Sequence, residues 1–110
     1  DKPDILTNKS VLNKALMLSL EWGKEWGKPI NNKIMHIIPR LSGGDIEKIS
    51  KYIIGVREDI LWRIYYDHFD HKNQAFVIDV VKTTAEKYPW INKNNLSRLD
   101  SQGRYYSWHG

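Results

Sequence analysis

Residues 43–66 read GGDIEKISKYIIGVREDILWRIYY, and this stretch decides the fold. Ile46, Ile49, Ile53, Val56, Ile60 and Ile64 fall three or four residues apart throughout. A helix brings such positions onto one face, whereas a strand alternates faces at every residue. Ile54, Leu61 and Tyr65 widen the stripe past that of a surface helix, so the spacing predicts a long helix in a central position. At about 1.5 Å per residue it would extend about 36 Å. Ser42 precedes it as an N-cap, and Asp45 three residues later suits the positive end of its dipole.

Upstream, residues 8–27 predict an amphipathic helix capped by Thr7. Leu12, Ala15, Leu16, Leu20, Trp22 and Trp26 form its apolar side, and Glu21, Lys24, Glu25 and Lys28 face water. Ser19, Gly23 and Gly27 share one face, where either a second helix approaches closely or the glycines loosen the helix end. Pro29 suits the first turn of a shorter second helix, because no amide donor is needed there. Ile30, Ile34, Ile37, Ile38 and Leu41 supply its inward side, and Pro39 marks its end.

Downstream, residues 71–87 predict a fourth helix capped by Asp70, carrying Phe76, Val77, Val80, Val81 and Thr84. The β-branched content raises a strand over Phe76–Val81, but the alternation there is poor. After the Tyr88-Pro89-Trp90 break, Asn92 reads as the N-cap of a last helix, with Ile91 placed to pack on Leu96 as a hydrophobic staple. Leu96, Leu99 and Tyr106 point inward, and Asp100 with Arg104 forms an i,i+4 pair. The expected fold is all-α: a compact bundle of about five helices around the long central helix (about 43–66). Residues 1–110 are read as a single helical domain, with residues 1–6 flexible.

A chain of 110 residues buries enough surface to fold without staples. It contains no cysteine, which excludes disulfides, thiolate metal sites and thiol nucleophiles. No apolar run approaches the ~20 residues that span a bilayer. The net charge of +4 is dispersed, and no block of like charge stands out. A cytoplasmic location is expected slightly ahead of export, and export stays open because the chain opens on Asp1 and a removed leader would leave no trace.

The densest polar cluster is Asp67, His68, Asp70 and His71. Imidazole nitrogen and carboxylate oxygen both ligate zinc or iron, and i,i+3 or i,i+4 spacing on a continuous helix aims two of them at one ion. A metal-dependent hydrolase built on these four residues is the first alternative function. The competing reading is a helix end, with Asp70 capping the next helix and the histidines in an exposed turn. Ser42-Gly43-Gly44 lacks the spacing of a phosphate loop. Glu58 and Asp59 diverge by about 100° on a helix, so they do not form an acid/base pair. No Gly-x-Ser-x-Gly elbow is present. The balance lies against an enzyme, and no cofactor is implied. A nucleic-acid-binding domain is the second alternative, from the sequence pI of about 9.3 and the run Lys93-Asn94-Asn95 through Arg98, Gln102 and Arg104. Asn94, Arg98 and Ser101 would share an outward face there.

The surplus feature is aromatic: five Trp and six Tyr, several of them adjacent. Neighbours such as Tyr65-Tyr66 and Tyr105-Tyr106 cannot both face one core. They either anchor the last helix to the body or present a patch to a protein partner, since Trp and Tyr dominate binding hot spots. The expected role is therefore a small protein–protein interaction module (adaptor, inhibitor or subunit) using Tyr66, Tyr105 and Trp108. Oligomeric state is left open.

Overall fold

The stripe of isoleucines forms helix in the computed structural model, which describes residues 4–21 and 29–110. Five α-helices stand among the described residues: α1 (Lys9–Ser19), α2 (Ile30–Ile37), α3 (Gly43–Glu58), α4 (Val80–Lys87) and α5 (Lys93–His109). The only sheet among them is a two-stranded hairpin of β1 (Phe69–Asp70) and β2 (Ala75–Phe76), so the class is all-α. No helix of the described residues is long and apolar enough to cross a membrane. The sequence reads as one domain, whereas the contacts divide it into two compact units, Asp1–Gly55 and Val56–Gly110.

In the first unit a 3-10 turn over Ile5–Thr7 leads into α1. Asp4 caps that turn, accepting from the Leu6 amide, and its other carboxylate oxygen pairs with Lys48 at 2.9 Å. The leading residues from Asp4 onward thus take part in the unit. Asn8 rather than Thr7 caps α1, its side chain accepting from the Val11 amide. Thr7 instead donates its hydroxyl to the Asp4 carbonyl. Leu12, Ala15, Leu16 and Leu18 are buried along α1, which packs against α2. The expected helix over residues 8–27 ends at Ser19, and its further positions Trp22, Gly23, Trp26 and Gly27 lie outside the described residues. Helix α2 buries Ile30 and Ile34 but leaves Ile37 exposed. Ser42 caps α3 by accepting from the Asp45 amide, and Ile46, Ile49 and Ile53 are buried. Ile54 faces outward, so it does not widen the stripe.

The second unit departs from a plain helix. Asp59–Tyr65 is a π-helix and Tyr66–His68 a 3-10 turn. The Tyr66 amide donates to both the Leu61 and Trp62 carbonyls, which marks the return from the wider turn. A widened turn lets neighbouring residues share one side, and the pairs Ile60–Leu61 and Ile64–Tyr65 are all buried. Trp62 and Arg63, between them, face out.

The expected helix over residues 71–87 is corrected by the hairpin and its turn. Only Val80–Lys87 is helical, capped by Asp79 accepting from the Lys82 amide. Asp70 caps no helix: its carboxylate accepts from the Lys72 and Asn73 amides and from Asn73 Nδ2. Those bonds, Asn73's foremost, hold its carboxyl below the usual range. Gln74 closes the turn at φ 52°, and Phe69 pairs with Phe76 across it. Asn92 caps α5, accepting from the Asn95 amide at 2.9 Å. Leu99, Gln102, Gly103 and Ser107 form its buried face.

Candidate protein-binding surface

Helix α5 is seated by a tight contact. Tyr65, 1% exposed, lies against Gly103, where an added Cβ would stand 2.5 Å from the Tyr65 ring. The Tyr65 hydroxyl donates to Asp100 Oδ1 at 2.7 Å, and Arg104 Nε reaches both oxygens of the same carboxylate at 3.0 Å. Burial, then the bond to Asp100, hold the Tyr65 phenol well above its ordinary range. The Arg104 guanidinium sits over Phe76 at 5.2 Å, so the hairpin is tied to the same seam.

On the other side, rings run in an unbroken series. Trp108 meets Phe69 at 5.4 Å between centroids, Phe69 meets His71 at 4.9 Å, and His71 meets Tyr66 at 5.3 Å. Tyr66 meets Trp62 at 5.6 Å, Trp62 meets Tyr106 at 5.4 Å, and Tyr106 meets Tyr105 at 5.6 Å. His109 ends the series 4.6 Å from Tyr105. Four of these seven contacts are edge-to-face, an arrangement that the ring quadrupole favours, and three are tilted. Tyr105 is 53% exposed, Trp108 50% and Trp62 38%, while Tyr66 and Tyr106 are half-buried and Phe69 is buried. The belt therefore joins the π-helix, the hairpin and α5.

The three residues expected at a partner surface, Tyr66, Tyr105 and Trp108, all lie in this series. Trp62 was missed, although its spacing to Tyr66 is i,i+4 and on a helix that places the two side by side. Phe69 and His71 carried no such signal, because a hairpin brings them in.

The residues of the expected metal site do not converge. His68 Nδ1 lies 3.0 Å from the Ile64 carbonyl, Asp70 closes the hairpin turn, and His71 sits against Tyr66 and Phe69. Among the described residues no group of three His, Cys, Asp or Glu side chains could hold a metal ion. In the run considered for nucleic acid, Asn95 and Gln102 are buried, and Arg98 donates to Asn95 Oδ1 at 3.1 Å. Asn94, Arg98 and Ser101 are exposed.

A second polar cluster ties α4 to the π-helix. Asp59 Oδ2 accepts from the Tyr88 hydroxyl at 2.6 Å and from Lys87 Nζ at 2.7 Å. Burial opposes ionisation of Asp59, but these two bonds outweigh it and keep the carboxyl below its ordinary range. Each donor is matched to an acceptor, so the cluster reads as a clasp.

No protein-family model, no curated protein and no solved structure matches the chain. The functional reading therefore stands on the residues themselves.

Proposed function

We propose that this chain is a small helical protein-interaction module, an adaptor, inhibitor or subunit, that meets its partner through the aromatic belt of the second unit. The carrying observation is that Trp62, Tyr105 and Trp108 expose large ring surfaces while each is held by ring neighbours. Exposed Trp and Tyr supply the contact area and polar tips of binding hot spots. Rings already fixed against one another lose little side-chain freedom on binding, which raises affinity for a given area. Asp59, Asp70, Asp100 and His71 are engaged in a clasp, a turn, the α5 seam and ring contacts.

A photo-crosslinking residue placed at Tyr105, compared with one at exposed Lys51, tests the proposal in an extract of the producing cells. The expected result is one predominant protein adduct from position 105, lost when Trp108→Ala is added, and none from position 51. Equal adducts from both positions, or none from either, would overturn it. A melting curve of each variant shows whether the fold is intact.

A further inference from the structure

The first unit contains a cleft of about 570 Å³ beside α2, within the range of small-molecule sites. Pro29, Lys33 and Ile37 step along α2 by four residues, as do Asn32 and His36, so one side of the helix supplies most of the wall. Among the described residues, Leu18 and Glu21 also line it.

Lys33 is the unusual member. Its side chain is only 10% exposed, yet among the described residues its ammonium has two partners. Nζ donates to the Leu18 carbonyl at 3.3 Å and forms a loose ion pair with Glu21 Oε2 at 3.8 Å. That separation is beyond hydrogen-bond length, so two of the three N–H donors of the lysine have no acceptor among the described residues and can serve a ligand. Asn32 and His36 add further polar groups to the same wall, and Leu18, Pro29 and Ile37 add apolar surface. Glu21 tempers the positive charge, which disfavours a dianion such as phosphate more than a monoanion.

We infer that the cleft binds a small monocarboxylate with a short hydrocarbon tail, its head on Lys33 and its tail along Leu18, Pro29 and Ile37. Nothing in this inference depends on the aromatic belt, which belongs to the other unit.

Hexanoate titrated into the full chain, followed by NMR shifts of the α2 amides, is the direct test. Hexanol, hexylamine and inorganic phosphate serve as comparison probes. Hexanoate should saturate with a dissociation constant on the order of 1 mM, as expected of so small a ligand. Hexanol should bind about tenfold more weakly, and hexylamine and phosphate should leave α2 unshifted. Lys33→Met should weaken hexanoate binding at least about tenfold. Because Lys33 also serves the Leu18 carbonyl, Ile37→Glu provides a second variant at an exposed position, with a comparable loss expected. The inference is overturned if hexanoate fails to saturate, if hexylamine or phosphate shifts α2 as strongly, or if both folded variants bind hexanoate unchanged.

Discussion

Helix α5 has one face carrying Leu99, Gln102, Gly103 and Ser107 and another carrying Tyr105, Trp108 and His109. On the first, side chains are small or buried, and the Ser107 hydroxyl has no hydrogen-bond partner among the described residues. On the second, large rings stand about half in water. Tyrosine occurs on both sides of this seam with opposite surroundings. Tyr65 is enclosed and bound to Asp100, whereas Tyr105 lies at the rim. The contrast teaches that residue type did not decide the role of these aromatics. Fit against Gly103 did, and it separates a face that holds the fold from one whose rings stand about half in water.

The largest effect should come from Gly103→Ala. A methyl group 2.5 Å from the atoms nearest the base of a buried ring cannot be absorbed by swinging a chain end aside. Overpacking of this kind costs about 1–3 kcal/mol, against which the helix preference of Ala returns up to about 1 kcal/mol. An overlap with three ring atoms places the cost at the top of that range, and the resulting net loss of about 2 kcal/mol should appear as a lower midpoint in urea with an unchanged slope. A neutral or stabilised variant would mean that α5 is not seated by Tyr65, and the distinction between the two faces would fail.

Next in size is Tyr65→Phe, which removes the bond to Asp100 but keeps the ring. About 1.5 kcal/mol should be lost near neutral pH, the low end for a hydrogen bond to a charged group, because Asp100 keeps its bonds to Arg104 and is partly open to water. The pH dependence gives a sharper reading. The folded phenol is raised above the value of about 10 that it has in an unfolded chain. Its contribution is therefore complete below about pH 10 and is lost as pH rises from there toward the folded value. Wild type should lose stability more steeply than Tyr65→Phe above about pH 10, and the two curves should run parallel below it. Parallel curves throughout would show that the hydroxyl is not held as described.

Much of this seam was legible and its decisive contact was not. Ser42, Asn92 and the Asp100–Arg104 pair are local devices, complete within four residues, and each stands where the sequence places it. The isoleucine stripe of α3 is equally local. The contact of Tyr65 with Gly103 joins distant positions, and no spacing along the chain encodes it. The hairpin failed for a different reason: Asp70 and Asp79 are both fit to cap a helix. Burial of Phe69 and its contact with Phe76 hold the first in a turn and leave the second to cap α4. At the belt, Tyr66, Tyr105 and Trp108 were legible because adjacent aromatics cannot all turn inward. That they join into one series with Trp62 and His71 depends on the π turn and the hairpin.

The smallest effect on stability belongs to Trp108→Ala and Tyr105→Ala, and their smallness is what makes them informative. Each removes a ring with about half of its surface in water, so the area lost from the folded state is limited. Trp108 also gives up its contact with Phe69, and Tyr105 its contacts with Tyr106 and His109. An aromatic pair is worth about 0.5–1.5 kcal/mol beyond its buried area. With each contact counted at the low end of that range because the rings are half in water, losses of about 1–1.5 kcal/mol are expected, below that of Gly103→Ala, when all three are measured by the same urea titration. Should Trp108→Ala match Gly103→Ala, the ring would be a structural anchor of α5 and the belt would lose its claim to be a free surface. Should it fall well below while still abolishing the adduct from position 105, the two faces differ in role as well as in packing.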